Sequence, residues 1–412
     1  MSQANVISLG CRLNHAESER ITALVKDERE LVVVNSCSVT REAVRHTRQA
    51  IRRARKSHPD ARLLVTGCAA ETERAALAEM PEVDGFVANA AKLDARAYNL
   101  GTSPRAGGDL DPPGSALAKS PPPSRGLGSH KHTRAFIGVQ NGCDHACTFC
   151  IIPQGRGASR SDPIVTILRT IERELADGAL EVVLTGVDLT SWGHDLPGEP
   201  KLGALVDAIL RAFPQLPRLR LSSVDGIEID ETLFDLIAHD PRVMPHLHLS
   251  LQHGSDLILK RMKRRHSRTQ AIDLVARLKQ QRPEIAIGAD LIAGFPTEAD
   301  AHHADNLSII AECGIVHGHV FPYSPREGTP AARMPQIEPA TIKRRAAELR
   351  SAVRQTRDIW LETLVGAEYE VLAEKDGSGY TPHFARVVLP EGTEPGQLVT
   401  IRPTQIIEGM LA

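Results

Sequence analysis

A chain of 412 residues, 42% hydrophobic and 24% charged, has the composition of an ordinary soluble globular protein and the length for two or three domains, each with its own core. A formal net charge of −2 excludes nucleic-acid binding through the overall field, so any such contact has to come from local basic patches. No stretch could span a bilayer and the start, MSQANVISLGC, lacks a basic region leading into an apolar core, which places the chain in the cytoplasm, where disulfides are disfavoured and seven cysteines point to metal or redox chemistry.

Residues 1–100 form a head. Three short apolar runs, VISLGC, LVVVNSC and RLLVTGC, each end in a small residue followed by cysteine. Strand-like runs alternating with helical stretches predict a parallel sheet, and such sheets bind ligands in the loops at the carboxyl ends of their strands. Cys11, Cys37 and Cys68 then converge on one edge. After the second run, REAVRHTRQAIRRARKSH sets Arg41, Arg45, Arg48, Arg52 and Arg55 at alternating four- and three-residue steps, on one face of a helix. That stripe reads either as a surface tracking nucleic-acid phosphates or as a solvated face.

Residues 101–130 hold six Pro and six Gly without apolar periodicity and read as a linker. The body, residues 131–363, repeats strand then helix: RAFIGVQ, EVVLTGV, RLRLSSV, HLHLSLQ, IAIGADLI and VHGHVFPY are the strands, with helical segments such as PIVTILRTIERELADG between. Six such units predict an incomplete α/β barrel, a fold whose chemistry lies in the loops after the strands. A helical stretch near 338–363 closes the body. The tail, residues 364–412, changes to short β-type runs with Gly and Pro turns, which fits a small barrel of a kind that often binds oligonucleotides.

GCDHACTFC directly follows the first body strand, with three and then two residues between Cys143, Cys147 and Cys150. Three thiolates on one loop can ligate three irons of a cubane cluster and leave the fourth iron open for a substrate. The spacing also falls within the range of zinc ligands, with His145 as a candidate fourth.

The loop, with Phe149 before its last cysteine, resembles that of the radical S-adenosylmethionine superfamily. Within it, GCDHACTFCIIPQGRGASRS, LTGVDLTSWG, LRLSSVDGIEI, HLHLSLQHGSD, IGADLIAGFPTE and HVFPYSPREGTPAARMP resemble the methylthiotransferases, as do SLGCRLNHAESE, VVNSCSVT and VTGCAAE in the head. The tail is similar to the TRAM domain, a small RNA-binding barrel. GCRLNHAES, LTGVDL, HLHLSLQHGSDLILKRMKRR and HVFPYSPREGTPAARMP are most similar to the branch acting on threonylcarbamoyladenosine at position 37 of tRNA; sister branches act on isopentenyladenosine in tRNA and on an aspartate of a ribosomal protein.

The resemblance implies two [4Fe-4S] clusters. Cys143, Cys147 and Cys150 would carry the one that binds S-adenosylmethionine and cleaves it reductively to a 5′-deoxyadenosyl radical. Cys11, Cys37 and Cys68 would carry an auxiliary cluster presenting the sulfur to be transferred, with an electron donor and a sulfur source as partners besides tRNA. Removing hydrogen from an unactivated C–H needs a radical stronger than any side chain supplies, so the cofactor carries the hard step and the protein orients it. A non-catalytic iron–sulfur RNA-binding protein is the alternative from another class, and neither a second triad nor a full barrel would serve it.

Smaller signals complete the reading. Thr185, Gly186 and Asp188 of LTGVD stand where related enzymes contact the methionyl amine, or they are a strand end needing glycine to turn. Ser222 and Ser223 contact the ribose or cap a helix, and Gln252 and Asp290 are further candidates at or near strand ends. KRMKRRHSR, residues 260–268, grips a carboxylate or phosphate, or is a solvated face. In the tail, Tyr380, His383 and Phe384 offer stacking surfaces for unpaired bases, or core. Cys313, far from any other cysteine, reads as a buried thiol.

Overall fold

The computed structural model describes residues 4–98 and 133–412, so the expected linker at 101–130 lies outside the described residues. Those residues divide into two compact units, 4–98 with 151–158, and 133–150 with 159–412. The first unit therefore takes in a short segment that the sequence reading assigns to the body.

The first unit is built on β1 (Asn5–Ser8), α1 (Arg12–Leu24), β2 (Leu31–Ser36), α2 (Arg41–Ser57), β3 (Arg62–Gly67), α3 (Cys68–Thr72), α4 (Arg74–Ala78) and β4 (Gly85–Phe86), with α5 (Ile152–Arg156) returning to it. The strands lie side by side in the order β1-β2-β3-β4, all parallel, with Asn5 beside Val32 and Leu31 beside Arg62. β2 is buried along its whole length, because both faces are covered. Its side chains alternate between the two: Val32 and Val34 pack with Ile51 and Ala54 of α2, whereas Leu31 and Val33 pack with Ile21 of α1. Thr40 caps α2 by accepting from the Ala43 N–H, and Val44, Thr47, Ile51 and Ala54 form its buried stripe. β4 is only two residues long and carries no apolar run, so no strand is expected there from the sequence.

In the second unit, β5 (Ala135–Gly138) leads into β6 (Gln140–Asn141), which pairs antiparallel with β7 (Arg160–Ser161) across the cysteine loop and α5. There follow α6 (Ile164–Ala176), β8 (Glu181–Thr185), α7 (Leu202–Ala212), β9 (Arg218–Leu221), α8 (Glu231–His239), β10 (His246–Gln252), α9 (Asp256–Arg261), α10 (Arg268–Gln281), β11 (Ala286–Ala293), α11 (Asp300–Cys313), β12 (Ile315–Pro322) and α12 (Pro339–Leu364). The six strands expected for the barrel are β5, β8, β9, β10, β11 and β12, each paired in parallel with its neighbour within the groups β5-β8-β9 and β10-β11-β12. The two groups meet through the isolated parallel bridges Leu219–Val243 and Val224–Leu249, which makes an incomplete barrel of six strand–helix units. Its core runs from Ile137 and Leu184 through Leu219 and Leu249 to Ile287 and Ile315, sealed outside by Ile167, Leu205, Leu233, Val275 and Ile309 of the helices. Cys313 is fully buried in it.

After α12 the chain makes a small sheet of β13 (Tyr369–Ala373), β14 (Ser378–Tyr380), β15 (Arg386–Val388), β16 (Leu398–Ile401), β17 (Ile406–Ile407) and β18 (Met410–Leu411), in the order β16-β13-β14-β15-β18-β17. It packs on the barrel through polar side chains of β9: Arg218 donates to the Glu370 carbonyl and Arg220 to the Pro382 carbonyl. Glu181 of β8 receives both arginines within the wall. No helix among the described residues is long and apolar enough to cross a membrane.

Candidate functional site

The first unit brings three thiols to one edge of its sheet. Cys11, Cys37 and Cys68 each follow the last residues of a strand, and parallel strands deliver their ends to the same side. Gly10 has φ +92°, and a Cβ there would lie 2.7 Å from Cys37 Sγ, so the small residue before Cys11 is what lets the two sulfur-bearing segments close together. Ser36, before Cys37, uses its hydroxyl to accept from Ala69 N–H and Ala70 N–H at the start of α3, which fixes the Cys68 segment to β2. Burial pushes the Cys37 thiol up to about 11, and the charges of Cys11 and Cys68 reach it as well. Burial raises Cys68 too, against the pull of Arg156 and Lys92. Three soft donors that sense one another, cradled by a glycine, fit a cluster with three thiolate ligands, and a cationic centre would displace the protons that burial keeps on the sulfurs.

The second unit carries Cys143, Cys147 and Cys150 in the loop after β6. The loop is pinned from α9: Thr148 N–H donates to the Met262 carbonyl at 3.1 Å and its hydroxyl to the Arg261 carbonyl at 2.9 Å. The Phe149 ring meets Phe295 edge-on with centroids 6.4 Å apart. His145 N–H points at Cys143 Sγ at 3.4 Å, and Arg264 Nη1 lies 3.7 Å from Cys147 Sγ. Burial, opposed by that N–H and reinforced by Asp188 and the other two cysteines, holds the Cys143 thiol up at about 12. A three-thiolate ligand set fits here on the same grounds.

Asp188 comes to this loop: its Oδ2 lies 3.8 Å from Cys143 Sγ, accepts from the Ser191 hydroxyl at 2.7 Å and meets His145 Nε2 at 2.7 Å. Asp188 and Glu228 hold the His145 imidazole up at about 10, so the ring that could have been a fourth metal ligand is engaged with carboxylates. Thr185 ends β8 and is buried. Gly186 is required by Gln140, whose Oε1 would lie 2.9 Å from a Cβ there. Gln140 Oε1 accepts from Val187 N–H at 3.0 Å and Asp188 N–H at 2.9 Å while its amide donates to the Gly142 carbonyl and Ser159 Oγ, which ties the LTGVD turn to the cysteine loop. Ser222 and Ser223 follow β9, where Ser222 N–H donates to the Leu184 carbonyl and its buried hydroxyl has no partner. Gln252 ends β10 with φ +69°. Asp290 sits midway along β11, receiving His248 Nε2 at 3.0 Å and His319 Nδ1 at 3.1 Å.

Sequence reasoning missed a charged rim that the structure assembles beside the cysteine loop. Arg264 donates to Asp225 at 2.7 Å, Arg265 to Glu228 at 2.8 Å, and His266 faces Asp225. Despite burial, His266, Arg264 and Arg265 hold Asp225 down at about 2. The basic run had been noticed; the acids of SSVDGIE that meet it are legible only once the strand ends converge. Arg268, from the same run, is instead spent on the Gly254 and Asp305 carbonyls and on Glu312.

Three expected nucleic-acid contacts change. Arg55 does not belong to a free stripe: its guanidinium donates to the Glu82, Pro59 and Ala61 carbonyls and pairs with Asp84, because α2 ends against the loop that leads to β4. Arg41, Arg45 and Arg52 are exposed, with Arg45 paired to Glu42, and Arg48 is half-buried. His383 is buried, its ring edge-on to Tyr369, where burial pushes the imidazole down to about 4. Tyr380 stacks on Phe384 at 4.6 Å between centroids, and Phe384 stacks in turn on His246 of the barrel at 5.1 Å. These rings join the small sheet to the barrel and are not an open platform for bases.

Residues 137–308 match the Radical SAM superfamily, and residues 3–88 match an uncharacterized protein family, UPF0004. The chain is 41% identical to the threonylcarbamoyladenosine tRNA methylthiotransferase MtaB of Rickettsia prowazekii, over 98% of this chain and 96% of that one. It is 31% identical to a tRNA-2-methylthio-N(6)-dimethylallyladenosine synthase of Chloroflexus aurantiacus, over 96% of this chain and 88% of that one. The radical S-adenosylmethionine methyltransferase TsrM of Kitasatospora setae shares the fold, with a TM-score of 0.59 at 17% identity over 81% of this chain and 77% of that one.

Proposed function

We propose that this chain, which belongs to the radical S-adenosylmethionine methylthiotransferases of tRNA, methylthiolates C2 of N6-threonylcarbamoyladenosine at position 37. The observation that carries the substrate is the 41% identity, along 98% of the chain, to a relative whose name states it. The 31% identity to relatives named for dimethylallyladenosine supports the same chemistry on that nucleoside as the second reading.

Membership implies S-adenosylmethionine and one [4Fe-4S] cluster, for which we assign Cys143, Cys147 and Cys150 as ligands. The convergence of Cys11, Cys37 and Cys68 supports a second cluster as the sulfur carrier. When bound, the two clusters and S-adenosylmethionine supply the hydrogen-abstracting radical, the sulfur and the methyl group. The chain's own residues bind and orient. Gln140 holds the Val187 and Asp188 amides in place, so that Thr185, Gly186 and Asp188 form a polar edge for the methionyl amine. Ser222, Ser223 and Gln252 extend that edge, and Asp290, with its two histidines, lines the wall more deeply. Arg41, Arg45, Arg48 and Arg52 are the remaining arginines for tRNA phosphates, and the small C-terminal sheet is the TRAM-like RNA-binding part. We read the chain as a first domain of residues 1–100 that also takes in 151–158, a linker at 101–130, the rest of a body at 131–363 and a tail at 364–412, in a cytoplasmic enzyme that draws on an electron donor and a sulfur source.

The test is mass spectrometry of nucleosides from total tRNA of cells with and without the gene. Loss of 2-methylthio-threonylcarbamoyladenosine with accumulation of its unthiolated precursor is expected, and alanine at any cysteine of either triad should reproduce it. Loss of the dimethylallyl counterpart alone would move the substrate to the second reading, and an unchanged nucleoside profile would refute both.

A further inference from the structure

Three neighbouring parallel strands of the barrel wall each bring one metal-binding side chain to the same spot. Leu247 and Leu249 of β10, Ala289 and Leu291 of β11 and Val320 of β12 pack in the core shared with the helices, so the residues that alternate with them look into the barrel. There His248 Nε2 meets Asp290 Oδ1 at 3.0 Å, and His319 Nδ1 meets the same oxygen at 3.1 Å. The three ligand atoms lie within 4.8 Å of one another. Asp290 and His319 are direct partners in the β11–β12 pairing, and His248 stands beside Gly288 of β11. A Cβ at Gly288 would lie 2.3 Å from His248 Nδ1, so the glycine makes the room in which the ring sits.

Two ligands at about 2.0–2.2 Å from one ion and roughly 90–109° apart are themselves about 2.8–3.6 Å apart, and both measured separations have that length. The two rings converge on one carboxylate oxygen instead of taking one each, which makes the three ligand atoms enclose a common point. The hydrogen bonds from His248 and His319 hold the Asp290 carboxyl well below the usual carboxylate range although burial opposes them, so it is in the ionised form a metal needs. His319 is 65% exposed at its side chain, which leaves an approach from the barrel interior. Two imidazoles with one carboxylate suit a first-row transition ion; Mg²⁺ and Ca²⁺ take oxygen ligands.

We propose that His248, Asp290 and His319 form a binding site for one divalent first-row transition metal ion, Zn²⁺ or Fe²⁺, apart from both cysteine triads. The ion takes the place of the two ring protons shared with Asp290, which pass to the other nitrogen of each ring or to solvent, and its remaining positions stay open to water or another oxygen donor.

The full chain with Cys11, Cys37, Cys68, Cys143, Cys147 and Cys150 replaced by Ala leaves no triad to compete, and circular dichroism checks that it folds. Equilibrium dialysis against Zn²⁺ should load one ion per chain, and calorimetry gives its Kd. Co²⁺ in the same protein should give d–d absorption without the charge-transfer band of a thiolate ligand. Losing even an outer partner of a metal ligand typically costs 10–100-fold in affinity, so His248→Ala, Asp290→Asn and His319→Ala should each weaken Zn²⁺ binding at least tenfold. His46→Ala, at an exposed histidine of α2, should leave it unchanged. If the cysteine-free chain does not fold, Co²⁺ titration of the full chain reconstituted with iron and sulfide, with and without His319→Ala, reads the same site by the absorption that depends on His319. No uptake of Zn²⁺, Co²⁺ or Fe²⁺, or uptake that persists in all three variants, overturns the inference and leaves a hydrogen-bonded bridge across the wall. Neither result touches the reading of the two triads or of the nucleoside, which tRNA analysis tests by itself.

Discussion

Gly10 shows how little room the first sulfur site leaves. Gly10→Ala would force a Cβ to within 2.6 Å of Cys37 Cβ at a φ of +92°, and should cost about 1–3 kcal/mol of stability and reduce bound iron from about eight to about four per chain. Iron analysis and thermal melting of the reconstituted protein check it. The arginines of α2 divide on the same kind of local fact. Arg41→Glu with Arg52→Glu should weaken tRNA binding and flatten its salt dependence, by about 0.7–0.9 in the log–log slope for each lost phosphate contact. Arg55→Ala should leave that slope alone and destabilise by about 1–3 kcal/mol, because three carbonyls and Asp84 lose their donor. The regular spacing in the sequence placed all five arginines on one face; it could not reveal that the last of them meets the loop ahead of β4. Cys11, Cys37 and Cys68 were legible because each closes an apolar run, whereas nothing in the sequence singles out Glu17, Lys92 and Arg156, which become a buried group only through tertiary folding.

Among the elements, the junction of the small sheet with the barrel carries a pH dependence. His317 of β12 packs against Trp360 of α12 and Phe384, with centroids 5.2 and 5.8 Å away. Burial pushes its imidazole down to about 3 and that of His383 down to about 4, from 6.5. Below pH 6.5 the unfolded chain takes up protons that the folded junction refuses, so this stability is whole above 6.5 and declines as pH falls toward 4 and then 3. Calorimetry should show a lower melting temperature at pH 5 than at pH 7, with roughly 2 kcal/mol lost through each histidine, and a smaller difference in His383→Gln. β5, β8 and β11 were legible as mainly apolar runs, and β9, β10 and β12 as runs in which apolar residues alternate with Arg or His, all at helix-length intervals. The same reasoning left the tail rings undecided: Tyr380 ends β14 and His383 and Phe384 lie in the turn after it, and only the barrel face beneath them, with Arg218, Arg220 and His246, turns them into a seam.

At the level of the whole molecule, the chain is not a string of consecutive domains. Residues 151–158 follow Cys150 without interruption, yet they complete the first unit, bringing Arg156 to Glu17. A fragment ending at residue 98 should therefore hold its cluster less well than the full chain with the second triad removed, as iron retention after gel filtration would show. The interleaving also sets an order in time. A ribosome adding roughly 5–20 residues per second needs a further 3–12 s or so to go from residue 98 to residue 156, and through that interval Glu17 and Lys92 emerge without their third member. The segment that backs Cys11, Cys37 and Cys68 is thus in place only after the other cysteine loop has been synthesised, and on the proposed two-cluster reading iron and sulfide would be delivered to the completed polypeptide.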